Sequence, residues 1–174
     1  SRLHHSASAA VRKDNAMSRD WIFEADGFIC ELRAAAVLVE DGNILVQREA
    51  GGDEYALPGG HVKVGETLED ALKRELREET GLRIACRRLL WSEECFWHWN
   101  GRMAHGIAFY YLIEALPDSP PIRSGIWTAQ RDNPRVEYGL LPIERLKDAT
   151  VYPEFLKDEI ACLDGPIKHF VSKS

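Results

Sequence analysis

A chain of 174 residues has room for one domain of ordinary size with a sizeable core. Its 22 Lys and Arg against 28 Asp and Glu give a formal charge of −6, and its 45% hydrophobic, 29% charged and 9% aromatic residues are ordinary for a globular protein. These figures exclude collagen-like, coiled-coil and disordered chains, a helix crossing a membrane on about 20 uninterrupted apolar residues, and a surface that grips nucleic-acid backbone all round.

Residues 1–16 show neither helical nor strand periodicity and lack the apolar core of a signal peptide. They read as a disordered leader or tag-derived segment, His4-His5 included, with a single domain expected over 17–174 from Met17 onward. Cys30, Cys86, Cys95 and Cys162 have no CxxC spacing, so free thiols in a reducing cytoplasm are expected rather than disulfides or a zinc site.

Residues 33–40 and 44–48 are β-prone runs around Asp41-Gly42-Asn43, a hairpin signal. Gly51-Gly52-Asp53 and Pro58-Gly59-Gly60 mark a loop. Residues 67–80 read as a helix with Gly81 where a C-terminal cap belongs. Two long strands, 82–96 and 102–114, are expected on either side of Asn100-Gly101, followed by a loop at Pro117, Pro120 and Pro121. A further strand is expected near 124–129, a short helix after Pro142, and a terminal helix from Pro153 to Leu163. This is a mixed α/β pattern.

The helix carries an unusual charge pattern. With Glu75 at zero on a wheel of about 100° per residue, Leu68, Leu72 and Leu76 fall at roughly 20°, 60° and 100°. Glu78 and Glu79 fall at roughly −60° and 40°, so three carboxylates share the margin of the apolar face. Acids three and four residues apart repel, acids in a last turn oppose the helix dipole, and acids at a core margin lose solvation. A bound divalent cation removes all three costs, and hard oxygen donors favour Mg²⁺, or Mn²⁺ as a close second. Gly59-Gly60 permits close backbone approach and frees carbonyls as further ligands.

Gly60, then Glu66 after five residues, then Arg74-Glu75-Leu76-Arg77-Glu78-Glu79-Thr80-Gly81-Leu82 after seven, resembles the complete Nudix box, with all nine specified positions in agreement. The resemblance implies a Nudix-type α/β/α sandwich with a mixed sheet, in which the box forms a loop-helix-loop. It implies a hydrolase that uses Mg²⁺ or Mn²⁺ and water to cleave a nucleoside diphosphate linked to another group. Glu78 and Glu79 would then be metal ligands with the Gly59 carbonyl, and Glu75 would bind metal through water or help deprotonate the nucleophile. Arg74 would orient the glutamates, and Glu66 would support the loop. Arg48 stands where several members place a phosphate-binding arginine, and a plain surface arginine is the other reading. Members often carry one more acid outside the box, for which Glu137 comes first and Glu114 second. Gly106, after His105, departs from the acid found there in related sequences, which leaves the general base unplaced.

Phe96, Trp97 and Trp99, with His98 among them, can stack on a nucleobase, or can pack at a strand end or between two copies in a homodimer. The zinc ribbon, the proline of ADP-ribose cleavage (Phe96 stands at its place) and the SQPWPxPxS signature are missing, which weakens NADH and ADP-ribose as substrates. A nucleotide-type small molecule is the expected partner, with no membrane and no strong nucleic-acid footprint. The alternative is a Nudix-fold module that binds nucleotide without turning it over.

Overall fold

The structure, a computed structural model, describes residues 19–174; the expected leader, Met17 and His4-His5 lie outside them. In chain order the elements are β1 (Ile22–Ala25), β2 (Phe28–Val37), β3 (Val39–Glu40), β4 (Asn43–Glu49), β5 (Glu54–Ala56) and β6 (Gly59–His61). Helix α1 (Leu68–Thr80) follows, then β7 (Ile84–Trp99), β8 (Arg102–Ala115), β9 (Thr128–Ala129) and β10 (Val136–Pro142). A 3-10 turn at Ile143–Asp148, β11 (Thr150–Tyr152), α2 (Leu156–Glu159) and β12 (Lys168–Lys173) complete the chain. No helix among the described residues is long and apolar enough to cross a membrane.

The strands form two mixed sheets. One runs β1-β2-β8-β7-β12, with β6 on β2; β2 is parallel to β8 and β12 parallel to β7. The other runs β11-β5-β4-β10-β9, with β3 on β4. The hairpin at Asp41-Gly42 is as expected, both residues at positive φ of 48° and 74°. Its first strand is short, because the chain leaves one sheet at Val37 and enters the other at Val39.

Alternation along β2 decides what lies on each side. Ala34 and Ala36, 1% and 0% exposed, join Ala71, Leu72 and Leu76 of α1 in one apolar cluster, and their small side chains let the helix sit close. Val37, with Ala35 packed against it, belongs to the second cluster, between the sheets, with Ile44, Val46, Trp91, Tyr110 and Leu156. Among the described residues the one buried charged side chain is Glu93, which accepts a hydrogen bond from the Tyr110 hydroxyl; burial beside that carboxylate raises the Tyr110 pKa. The four cysteines are free, and burial pushes the Cys86 and Cys95 thiols up to about 11 and about 12.

Two expectations need correction. The terminal helix spans only Leu156–Glu159, ending well before Asp164-Gly165-Pro166. Beyond that proline the chain forms an edge strand, β12, anchored by Phe170 stacked on Phe155 at 3.9 Å. The strand expected near 124–129 shrinks to Thr128–Ala129, since Gly125 takes a positive φ of 77°.

Candidate active site

Helix α1 is set by its ends. The Thr67 side chain accepts from the Asp70 amide at 3.1 Å, and Gly81, at φ 78°, returns its amide to the Arg77 carbonyl. With Leu72 and Leu76 fully buried, the rotation of the helix is fixed and Glu75 and Glu79 are held half-buried at the core margin, Glu78 outside it.

Arg74 is the hub of the charge network. Its Nε and Nη2 donate to the two Glu66 oxygens at 2.7 and 2.9 Å, and Nη2 also donates to the His61 carbonyl at 3.0 Å. Nη1 donates to Glu75 at 2.5 Å and to Glu78 at 3.3 Å. Glu66 accepts the Lys63 amide as well, and these bonds, Arg74 first, hold its carboxyl below the usual range while raising the Arg74 pKa. Arg74 and Glu66 thus staple helix to loop.

Glu79 stands apart from that hub. Burial first, and then the charges of Glu75, Asp132 and Glu78, push its carboxyl up to about 8, against which Arg33 supplies the opposing cation. Gln130 Nε2 donates to Glu79 at 3.3 Å and to Gln47 Oε1 at 2.9 Å, and the Arg131 amide donates to the Glu79 carbonyl at 2.8 Å. Gln130, Asp132 and Gln47 went unnoticed in the sequence, where no spacing ties them to the helix.

Close approach explains the paired glycines. A Cβ on Gly60 would stand 2.3 Å from the Glu75 carboxyl carbon, and one on Gly59 would stand 2.1 Å from the Ala34 carbonyl oxygen. Gly59→Ala is expected to cost about 3 kcal/mol, because backbone cannot yield, and Gly60→Ala about 1–2 kcal/mol, because Glu75 can swing. Thermal unfolding of the two variants checks the order; a larger loss at Gly60 would contradict it.

A cleft of about 640 Å³ opens beside Arg74, Glu75 and Glu78, with Asp132 on its wall. The other expected residues lie elsewhere. Arg48 and Glu137 face each other across β4 and β10 and are paired: Nε and Nη2 both reach Glu137 Oε1 at 2.7 Å, and Nη1 donates to the Gly52 carbonyl. The Gly51 amide and Arg48 hold the Glu137 carboxyl below the usual range. Arg48 also lies 3.8 Å over the Trp127 ring, which stacks on Tyr55. Arg48, Tyr55 and Tyr152 line a second cleft of about 390 Å³. Glu114 pairs with Arg87 on the exposed surface.

The aromatic run does not border either cleft. Phe96 stacks on His105 at 4.3 Å, a Cβ on Gly106 would come within 3.1 Å of the Trp97 ring, and Trp99 is largely exposed beside the Asn100-Gly101 turn. The aromatics that do line a cleft, Tyr55 and Tyr152, are 97 residues apart in sequence (152 − 55) and meet only through the parallel pairing of β5 with β11.

Comparison with known proteins places this geometry. The NUDIX domain family matches residues 31–158. An 8-oxo-dGTP diphosphatase of Haemophilus influenzae is 41% identical over 112 residues, 60% of this chain and 79% of its own length. An RNA pyrophosphohydrolase of Halorhodospira halophila is 44% identical over 59 residues, 34% of this chain and 32% of that protein. The chain spans about a third of the length of several curated relatives it matches, 37% and 33% for two of them. In fold, a MutT protein of Bacillus halodurans superposes with a TM-score of 0.59 at 14% identity, covering 81% of this chain and 90% of that one. An ADP-ribose pyrophosphatase of Streptococcus suis gives 0.54 at 17% identity, covering 80% and 98%. A match across most of the described chain, which takes in the helix that carries Arg74 and its glutamates, makes this protein a member of the NUDIX family.

Proposed function

We propose that the chain is a divalent-cation-dependent pyrophosphohydrolase acting on a nucleoside diphosphate linked to another group. One observation carries the reading: Glu79 is held among Glu75, Glu78 and Asp132 with its carboxyl pushed up to about 8, while Arg74 is committed to the other acids. Around Glu79 itself, three carboxylates are set against the single cation Arg33.

Among the described residues no three His, Cys, Asp or Glu side chains are already gathered as a finished metal shell. The donor set nevertheless fits Mg²⁺ or Mn²⁺: carboxylate oxygens in excess charge, with no thiolate or free imidazole among them. Glu75, Glu78 and Glu79, with the Gly59 carbonyl, would hold the ion. When bound, it would neutralise phosphate charge and acidify the attacking water.

The chain's own residues do the rest. Arg74 and Glu66 fix the helix against the loop, so that the glutamates are aimed before substrate arrives. Gln130 holds one Glu79 oxygen, Oε2, in place. In the reaction, water oxygen bonds to phosphorus, the bridging P–O bond breaks, and the proton lost by water passes to a carboxylate or to solvent. The 8-oxo-dGTP diphosphatase relative supports a nucleoside triphosphate as first probe. With 8-oxo-dGTP, dGTP and ADP-ribose as a panel, release of the nucleoside monophosphate that requires Mg²⁺ and stops in EDTA is the expected result. Tight nucleotide binding with no turnover anywhere in the panel would overturn it in favour of a binding module.

A further inference from the structure

The family match begins at residue 31, yet one wall of the cleft beside Arg74 is built from residues before that point. Arg19, Asp20 and Ile22 line it, on a strap that is tied down along the box loop. The Trp21 amide donates to the Val62 carbonyl at 2.7 Å, the Val64 amide donates to the Arg19 carbonyl at 2.8 Å, and the backbones of Asp20 and Lys63 form an isolated antiparallel β-bridge. Arg19 and Lys63 are thereby delivered to the same cleft as Glu75 and Glu78.

The two cations differ from Arg74 in one respect. Arg74 is paired with three acids, whereas among the described residues neither the Arg19 guanidinium nor the Lys63 ammonium has a carboxylate within ion-pair distance. The cleft also holds the Asp20 carboxylate, which lies 3.9 Å from His61 Nδ1, and Lys63 acts at longer range on Glu66; acids and cations not paired with each other thus share one space. A divalent cation satisfies the first set and leaves the second; a phosphate group satisfies the second and leaves the first. A metal-chelated polyphosphate satisfies both, because its coordinated oxygens face the acids and its outlying phosphate faces the cations.

We propose that Arg19 and Lys63 form a clamp for the phosphate of the substrate farthest from the ion, with Arg19 supplied by a strap that precedes the family domain. The clamp rests on the pyrophosphohydrolase reading and sharpens it: substrates with a free terminal phosphate, such as nucleoside triphosphates, are favoured over nucleoside diphosphates capped by a neutral sugar.

Calorimetric binding of a non-hydrolysable methylene-bridged nucleoside triphosphate in Mg²⁺ tests this. Arg19→Gln/Lys63→Gln is expected to weaken binding about 10–100-fold and to reduce its salt dependence. Arg123→Gln/Lys157→Gln, which removes the same charge outside the cleft, is expected to weaken it about twofold or less. Equal losses in the two variants, no loss in the first, or no binding by the unaltered protein would overturn the clamp. Wild-type binding without turnover of any nucleotide would overturn the hydrolase reading and leave the clamp standing. Turnover with undiminished binding in Arg19→Gln/Lys63→Gln would do the reverse.

Discussion

Replacing Arg74 with alanine is expected to cost the fold about 3 kcal/mol. The side chain is only 15% exposed, and its removal strands Glu66 and Glu75, each 16% exposed, without the cation that offsets their desolvation. The His61 carbonyl loses a donor in the same step. Lysine keeps the charge but not the fork: one ammonium cannot span both Glu66 oxygens, Glu75 and the His61 carbonyl, so Arg74→Lys is expected to recover less than half of the loss. Adding Glu66→Gln to Arg74→Ala removes one of the stranded charges, so the double variant is expected to lose less than the sum of the two single changes. The acid range supplies a second check. Arg74 holds Glu66 below its ordinary 4.5, so this contribution is present above that value and is lost as pH falls through the lower, folded one. The gap between wild type and Arg74→Ala in urea unfolding should therefore narrow below about pH 4. A loss under about 1 kcal/mol at pH 7 would mean that water, not Arg74, screens these glutamates.

The parts legible in the sequence were those encoded within one element. Thr67 and Gly81 bound the helix by local hydrogen bonds, and the leucine spacing sets its rotation, so the wheel located Glu75 and Glu79 at the core margin, whereas Glu78, expected there too, is exposed. The Asp41-Gly42 and Asn100-Gly101 turns are local too. What escaped is set by pairing between distant segments. In β12 only Phe170 and Ser172 are less than fully exposed, a pattern too thin to announce a strand, and its existence depends on the free edge of β7. β10 buries Gly139, Leu140 and Leu141 in a row without period-two alternation. The site divides in the same way. Its helix side was readable, whereas Gln130 and Asp132 arrive on a loop some 50 residues later, and Arg19 comes from before the domain. That Arg48 and Glu137 face each other follows from the register of β4 with β10, which no local spacing encodes. Likewise the Phe96-to-Trp99 run sits at the turn end of its hairpin, and only the assembled sheet shows that this end lies off the clefts.

Glu79→Gln is expected to lower turnover by about 10²–10⁴-fold while making the metal-free protein more stable. The two effects share one cause, a carboxylate in a place that suits it only when a cation is present. Its folded-state value of about 8 lies above the ordinary 4.5, so the sign differs from that of Glu66. Below 4.5 the group is protonated folded or unfolded and costs nothing. Between 4.5 and about 8 the folded state keeps a proton that the unfolded chain releases, so stability falls as pH rises; above about 8 the penalty is complete. Water at the open side of the cleft takes up part of the repulsion, which leaves a penalty on the order of 2 kcal/mol. Glu31, Glu66 and Glu137 have lowered values and are ionised throughout this window, so they add no slope to it. Metal-free wild type should therefore melt lower at pH 8.5 than at pH 5.5, Glu79→Gln should show a flatter profile, and Mg²⁺ at pH 8.5 should restore the wild type much more than the variant. A wild-type melting temperature that does not change across this range, or a glutamine variant stabilised by Mg²⁺ as strongly as the parent, would remove the reason for placing a cation beside Glu79.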